Sequence, residues 1–389
     1  MKNIDKNVVM LGWVSFFTDM ASAMINPILP IFVVVVLHEG MDKLGVIIAV
    51  ATFVSYALRL VSGYLSDRYG IVKPLVVGGY ALSALSKPLI GICHGYKSVA
   101  LLKAFERLGK GLRSAPKDLM ISEYSKTNAS GKTFGFHKMM DISGELSGIL
   151  ILFGILLYFG QSETVIRNIF YATLVPGIVG LVLVIFFVGD IPKSKPFSNQ
   201  AFTLTDNDKK TIASLFLYFV FLLFVFSDAF FTMQAKEVGI ATAVIPLLFA
   251  VSAGVQTLTS YTFGIFVDKL GAKPVLVFAY ACGVLAQGFL YLQKAYFTWI
   301  AYAFLGLFTV ASLNANRAFI SQNADNRGSV YGVFYAGVAF FGAAGAYMSG
   351  MIWEYWGMQT VLSFSLAGTT LLTLLFVTIL LQNREKGNG

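Results

Sequence analysis

Between Lys103 and Asp118 the chain reads Lys-Ala-Phe-Glu-Arg-Leu-Gly-Lys-Gly-Leu-Arg-Ser-Ala-Pro-Lys-Asp, a dense run of charge inside an otherwise apolar segment. At roughly 100° per residue on a helix, Glu106, Lys110, Arg113 and Lys117 share one face, flanked by Arg107 and Asp118. One acid among three cations leaves that face positive, the chemistry that holds carboxylates through charge-assisted hydrogen bonds. Downstream, His137, Asp141 and Glu145 recur in steps of four and therefore also share a face. Counted in from the facing ends of the two helices at about 1.5 Å per residue, Arg113 and Asp141 lie at similar depth, as do Lys110 and Glu145, which predicts ion pairs Arg113–Asp141 and Lys110–Glu145 and leaves Lys117 and Arg107 without an obvious acid. Two roles are open: Lys110 and Arg113 as contacts to an anionic solute, and Lys117, Asp141 and Glu145 as a gate and packing network.

These charges lie in apolar surroundings, where inserting one costs roughly 2.5–3.5 kcal/mol. Charge is kept there where it faces a cavity or a partner. Asp19 sits in such a stretch, ahead of Asn26, Pro27 and Pro30, and an isolated acid suits a proton carrier. Its other reading is neutralisation by a neighbouring helix, where Arg59 is available. Asp228 occupies the equivalent place in the second half. In that half Asn314, Asn316 and Arg317 form the comparable polar cluster and Gln256 adds an amide, so Gln256, Asn314 and Arg317 are candidate solute contacts, although amides in membranes more often bridge helices. Trp353, Tyr355 and Trp356 read as an interfacial belt.

The elements that must position these residues are membrane spans. Of 389 residues, 57% are hydrophobic and only 13% charged, about half the charge of a soluble domain. Apolar runs predict twelve spans near 7–37, 44–67, 74–94, 98–124, 131–159, 163–188, 209–236, 239–268, 274–293, 296–322, 328–355 and 357–382. Residues 189–208 form the one long polar interval, so the expected organisation is a six-helix bundle over 1–188, a cytosolic linker over 189–208 and a second six-helix bundle over 209–389. Lysine and arginine collect on one side if the N-terminus is cytosolic, which also places the C-terminus there. The formal charge of +9 comes without zinc spacing or aromatic-basic interleaving, so it implies topology and not nucleic-acid binding. Cys93 and Cys282 make no disulfide framework. His38, His94 and His137 fall on different sides or depths and cannot form a metal site. A phosphate loop of the Gly-x-x-x-x-Gly-Lys-Ser/Thr type is missing from the sequence, so no nucleotide cofactor is expected and gradient drive is the economical inference.

The two halves also repeat. Gly63-Tyr-Leu-Ser-Asp67-Arg68-Tyr-Gly70-Ile-Val-Lys73-Pro74 returns as Gly264-Ile-Phe-Val-Asp268-Lys269-Leu-Gly271-Ala-Lys273-Pro274, and Phe17-Thr18-Asp19 returns as Phe226-Ser227-Asp228. This charged pattern, expected as a tight turn between spans, resembles the loop between helices 2 and 3 of the major facilitator superfamily and its echo between helices 8 and 9. Asp67, Arg68 and Asp268 then belong to the conformational gate. The resemblance implies an all-α membrane fold of two six-helix bundles related by a pseudo-two-fold axis, with the solute site between them. Arg107 to Arg113 is similar to the helix 4 motif Arg-x-x-Gln-Gly-x-Gly of proton-driven facilitators, which links Arg107, with Glu106, to proton transfer. Lys110 replaces the glutamine, and Gly144-Glu-Leu-Ser-Gly148 lacks the Gly-Pro motif of drug antiporters. The expectation is a proton-coupled carrier, not an enzyme, moving a small organic anion such as a polycarboxylate or siderophore across the cytoplasmic membrane, as a monomer in the bilayer. The alternative is a proton-driven exporter of lipophilic cations or drugs, using Asp19, Asp228 and Glu106 with an aromatic lining.

Overall fold

The computed structural model describes residues 5–69, 71–124, 130–191 and 204–387, and the described residues are almost entirely helical. The chain divides into two compact units, Met1–Ala201 with Thr242–Leu247, and Phe202–Ala241 with Leu248–Gly389.

In the first unit, α1 (Lys6–Ile25) starts at Asp5, whose carboxylate accepts the Asn7 N–H at 2.7 Å. It ends where Asn26, Pro27 and Pro30 break the ladder, since proline has no N–H to donate. The path resumes as α2 (Leu29–Ile31) and a π-turn over Phe32–Val36. Then follow α3 (Met41–Tyr69), α4 (Lys73–Leu89), α5 (Tyr96–Glu123) and α6 (Ser130–Phe159). The last span of the unit is α7 (Glu163–Ala172) and α8 (Leu174–Phe186), joined at Thr173.

Backbone contact fixes how these helices lie. A Cβ at Gly79 would meet the Gly109 carbonyl at 2.6 Å and one at Gly109 the Gly79 carbonyl at 2.5 Å, so α4 and α5 touch main chain to main chain. The same holds for α6 on α1: a Cβ at Gly144 would be 2.2 Å from the Phe16 carbonyl and at Gly148 2.3 Å from that of Met20. Small residues are what allow such approach between membrane helices. By contrast α5 and α6 scarcely touch.

In the second unit α9 (Asp206–Leu222) opens with a capping box of Thr205 and Asp208, three residues before the expected boundary. Asp208 is buried and accepts hydrogen bonds from Asp325 N–H at 2.9 Å, Asn326 N–H at 3.1 Å and the Asn326 amide at 3.0 Å. Most of the expected linker, residues 192–203, lies outside the described residues. The chain continues through α10 (Asp228–Glu237), α11 (Ile245–Leu270), α12 (Ala272–Tyr291), α13 (Ala295–Asn323) and α14 (Arg327–Gly387). Gly357, with φ of 82°, bends α14 into two helices; only glycine takes that backbone without penalty.

Among the described residues eight helices are long and apolar enough to cross a membrane, one of them the doubled α14. α5 is not one of them, because its charges exceed what an apolar window tolerates. Two expectations are corrected. The repeated charged segment is not a turn: α3 runs helical to Tyr69 and α11 to Leu270, which leaves Gly271, at φ 85°, as the whole turn in the second copy. Trp353 is not in a belt with Tyr355 and Trp356. It is 8% exposed, with its ring 6.1 Å from that of Phe230, whereas the other two are more than half exposed.

Candidate functional site

The first unit contains a cavity of about 350 Å³, lined by five helices. α5 supplies Lys110, Arg113, Ser114, Lys117 and Asp118, and α6 supplies Lys138, Asp141 and Glu145. α1 adds a polar stripe of Ser15, Thr18, Asp19, Ser22 and Asn26; Arg59 comes from α3 and Tyr80 from α4. The steps of three and four in the α1 stripe put it on one face. That spacing was visible in the sequence, yet Ser15, Ser22 and Tyr80 attract no notice there, because hydroxyls are unremarkable in apolar helices.

The predicted pairs Arg113–Asp141 and Lys110–Glu145 are absent from the ion pairs among the described residues. Helix packing explains it. Gly79 and Gly109 bind α5 to α4, Gly144 and Gly148 bind α6 to α1, and the two charged faces look across the cavity without meeting. Arg113 turns instead toward α4: Nη1 donates to the Gly79 carbonyl at 3.3 Å and the guanidinium lies 4.4 Å from the centre of the Tyr80 ring. Lys117 Nζ donates to Ser15 Oγ at 3.3 Å. Ser15 Oγ also lies 3.3 Å from Tyr80 Oη and 3.0 Å from His137 Nε2, while His137 Nδ1 is 3.4 Å from Asp141 Oδ1. A hydrogen-bonded chain therefore links Lys117 to His137 through one serine, and Asp141 lies next to the far side of the imidazole without a hydrogen bond to it.

Glu106 and Arg107 do not line this cavity. Glu106 is 3% exposed, with Lys103 Nζ at 3.0 Å and Arg107 Nε at 3.3 Å. Lys103 also donates to the Asn26 amide oxygen at 3.4 Å, which ties α5 to the break in the first span. Lys87, which sequence inspection overlooks, is 2% exposed and donates to the Thr18 carbonyl at 3.1 Å.

Asp19 lines the cavity within an unbroken helix, but Asp228 does not repeat its setting. The seventh span breaks at 223–227, so Asp228 is the first residue of α10, where the helix dipole favours a carboxylate. The Phe224 carbonyl freed by this break accepts the Ser365 hydroxyl. In the second unit the Asn314 amide donates to the Ser260 carbonyl at 3.1 Å and bridges α13 to α11, while Gln256 donates to Ser252 Oγ at 3.2 Å on its own helix. Arg317 is exposed and reaches Tyr335 Oη at 3.4 Å. Asp268 is exposed near the end of α11, and the side chains of Asp67 and Arg68 lie outside the described residues.

The family model of the Major Facilitator Superfamily matches residues 11–235 and again 213–389. The chain belongs to the Major Facilitator Superfamily. An MFS-type transporter of Methanocaldococcus jannaschii is 30% identical over 394 residues, covering 97% of this chain and 96% of that protein. Multidrug resistance protein MdtH of Citrobacter koseri is 24% identical over 148 residues, covering 38% of this chain and 34% of its own. The crystal structure of a mutant of the nucleoside transporter NupG has the same fold, with a TM-score of 0.81 at 16% identity over 96% of this chain and 99% of that one. This facilitator is accordingly a multi-pass membrane transporter of small molecules, not an enzyme.

Proposed function

We propose that this facilitator carries a small organic anion, a polycarboxylate or a siderophore built from carboxylates, across the cytoplasmic membrane by alternating access coupled to protons. The observation that carries the proposal is the cationic side of the cavity. Lys110, Arg113 and Lys117 line it on α5, and none of the three makes an ion pair among the described residues. Arg113 is buried, Lys117 half-buried and Lys110 open to the cavity, and cations partly withdrawn from water without an acid beside them favour an anionic solute. Asp19, facing the same cavity, is the acid placed to exchange a proton as the solute binds; Asp228, Glu106 and Arg107 keep only supporting parts. Asn314, Arg317 and Gln256 are the solute contacts proposed for the second unit, and Asp67, Arg68, Asp268, Lys117, Asp141 and Glu145 would time the conformational step. The bias of lysine and arginine toward one side supports cytosolic termini, and we take one chain as the working unit.

A second reading, export of lipophilic cations, draws on Asp19, Asp118, Asp141 and Glu145 in the same cavity, four acids beside five cations, and on the partial similarity to MdtH. Transport in proteoliposomes under an imposed pH gradient separates the two. Labelled citrate or ferric citrate moving with the gradient, and failing in Arg113→Ala, supports the anion; movement of tetraphenylphosphonium instead overturns it.

A further inference from the structure

The Ser15 hydroxyl stands between two groups that cannot both be charged without cost. A hydroxyl has one proton to donate and two lone pairs. Lys117, an ammonium, can only donate, so Ser15 Oγ accepts from it across 3.3 Å. The remaining lone pair takes the Tyr80 O–H at 3.3 Å, and the Ser15 proton points to His137 Nε2, the shortest of the three contacts at 3.0 Å. These bonds fit a neutral imidazole, with Nδ1 3.4 Å from Asp141 Oδ1, close enough to feel its charge but not hydrogen-bonded to it. A proton on Nε2 would reverse the Ser15–His137 bond and set two cations on one oxygen.

Around His137, which is 4% exposed, the charged and titratable groups are Lys117 on α5, Tyr80 on α4, Asp19 on α1 and Asp141 and Lys138 on α6 itself. On α7, Glu163 and Arg167 pair with each other at 2.8 Å, beyond the opposite end of α6. Lys117 is thus the cation that faces the imidazole through the serine, and it is also one of the three cavity cations available to an anion.

We propose that His137 is a second proton site of this carrier, beside Asp19, taking up a proton when a bound anion draws Lys117 off Ser15. This rests on the anion reading above and adds the residue and the route that the sequence did not assign. Once the anion neutralises Lys117, Ser15 is free to accept from an imidazolium, and Asp141 and Asp19 face that new charge. Binding of anion and proton becomes mutually favourable, as linkage requires, and the solute crosses with its charge reduced by one.

The test reads His137 directly. In full-length protein carrying His38→Asn and His94→Gln, the remaining histidine gives one set of ¹⁵N imidazole resonances, followed against pH with and without citrate, in that background and with Lys117→Gln added. The expected result is a His137 titration midpoint at least one pH unit higher in Lys117→Gln, and a comparable rise when citrate binds the Lys117 protein. Equal midpoints with and without the Lys117 charge overturn the proposal. A rise in Lys117→Gln with none on adding citrate supports the coupling of His137 to Lys117 and overturns citrate as the anion. Ser15→Ala is the second variant, should Lys117→Gln not fold: a citrate-induced rise cut by more than half supports the serine route, and an undiminished rise overturns it.

Discussion

Lys103 Nζ and the carboxylate of Glu106 meet at 3.0 Å, both side chains almost wholly buried, one turn from the charged face that looks into the cavity. The pair separates two uses of charge on one helix: Lys103, paired with Glu106 beside Arg107, ties α5 to the break in the first span, while Lys110, Arg113 and Lys117 line the cavity.

Removing Glu106 alone strands buried cations, so Glu106→Gln should destabilise the protein by about 3–5 kcal/mol. Replacing both partners, Lys103→Met with Glu106→Leu, should recover most of that loss. Thermal unfolding in detergent measures it; equal midpoints for the single and double variants would show that the pair is not what Glu106 contributes.

Arg113→Ala should weaken citrate binding by roughly 2–5 kcal/mol if the guanidinium meets the solute in a desolvated site. Arg113→Lys should not restore it, because lysine cannot both stack on Tyr80 and reach the Gly79 carbonyl. Isothermal titration decides; unaltered affinity in folded Arg113→Ala would restrict Arg113 to packing.

Asp19→Asn should abolish citrate accumulation driven by a pH gradient while leaving citrate counterflow intact. Flux in proteoliposomes compares the two modes, and accumulation at the wild-type level would take Asp19 out of the coupling.

Gly144→Ala forces a methyl against the Phe16 carbonyl and should cost about 1–3 kcal/mol through overpacking, with α6 pushed off α1. Gly154→Ala, on the same helix with nothing within 4 Å of the added carbon, is the control and should be neutral. Matching thermal midpoints for the two would contradict the backbone contact.

Thr205→Ala removes the cap of α9 and should cost about 1 kcal/mol. Burial pushes the Asp208 carboxyl up, but this is outweighed by hydrogen bonds from Thr205 and Asn326, and its pKa falls below the usual carboxylate value. A depressed folded pKa gives stability that is present above the ordinary carboxylate range near 4 and is lost as pH falls through the folded value. Unfolding midpoints compared at pH 7 and pH 3 should therefore drop less in Asp208→Asn than in wild type.

Much of this was legible in the sequence. Length and placement of the spans follow from apolar runs that must satisfy their backbone internally, and the repeated Gly-x-x-x-Asp motif identifies the family. The cationic face of α5 follows from helical period alone, since Lys110, Arg113 and Lys117 share a face wherever that helix packs. What the period could not decide is what the face meets. Arg113 and Asp141 were matched by depth, but glycine contacts too short for any side chain bind their helices to α4 and α1 and hold the two apart. Asp19 and Asp228 are equivalent in the repeat, yet a helix break five residues wide turns one into a cavity acid and the other into a helix-starting acid. The Lys117–Ser15–His137 chain joins residues up to 122 positions apart. Local spacing determines what each helix offers; only close packing of backbones, which depends on the whole bundle, determines which offers meet.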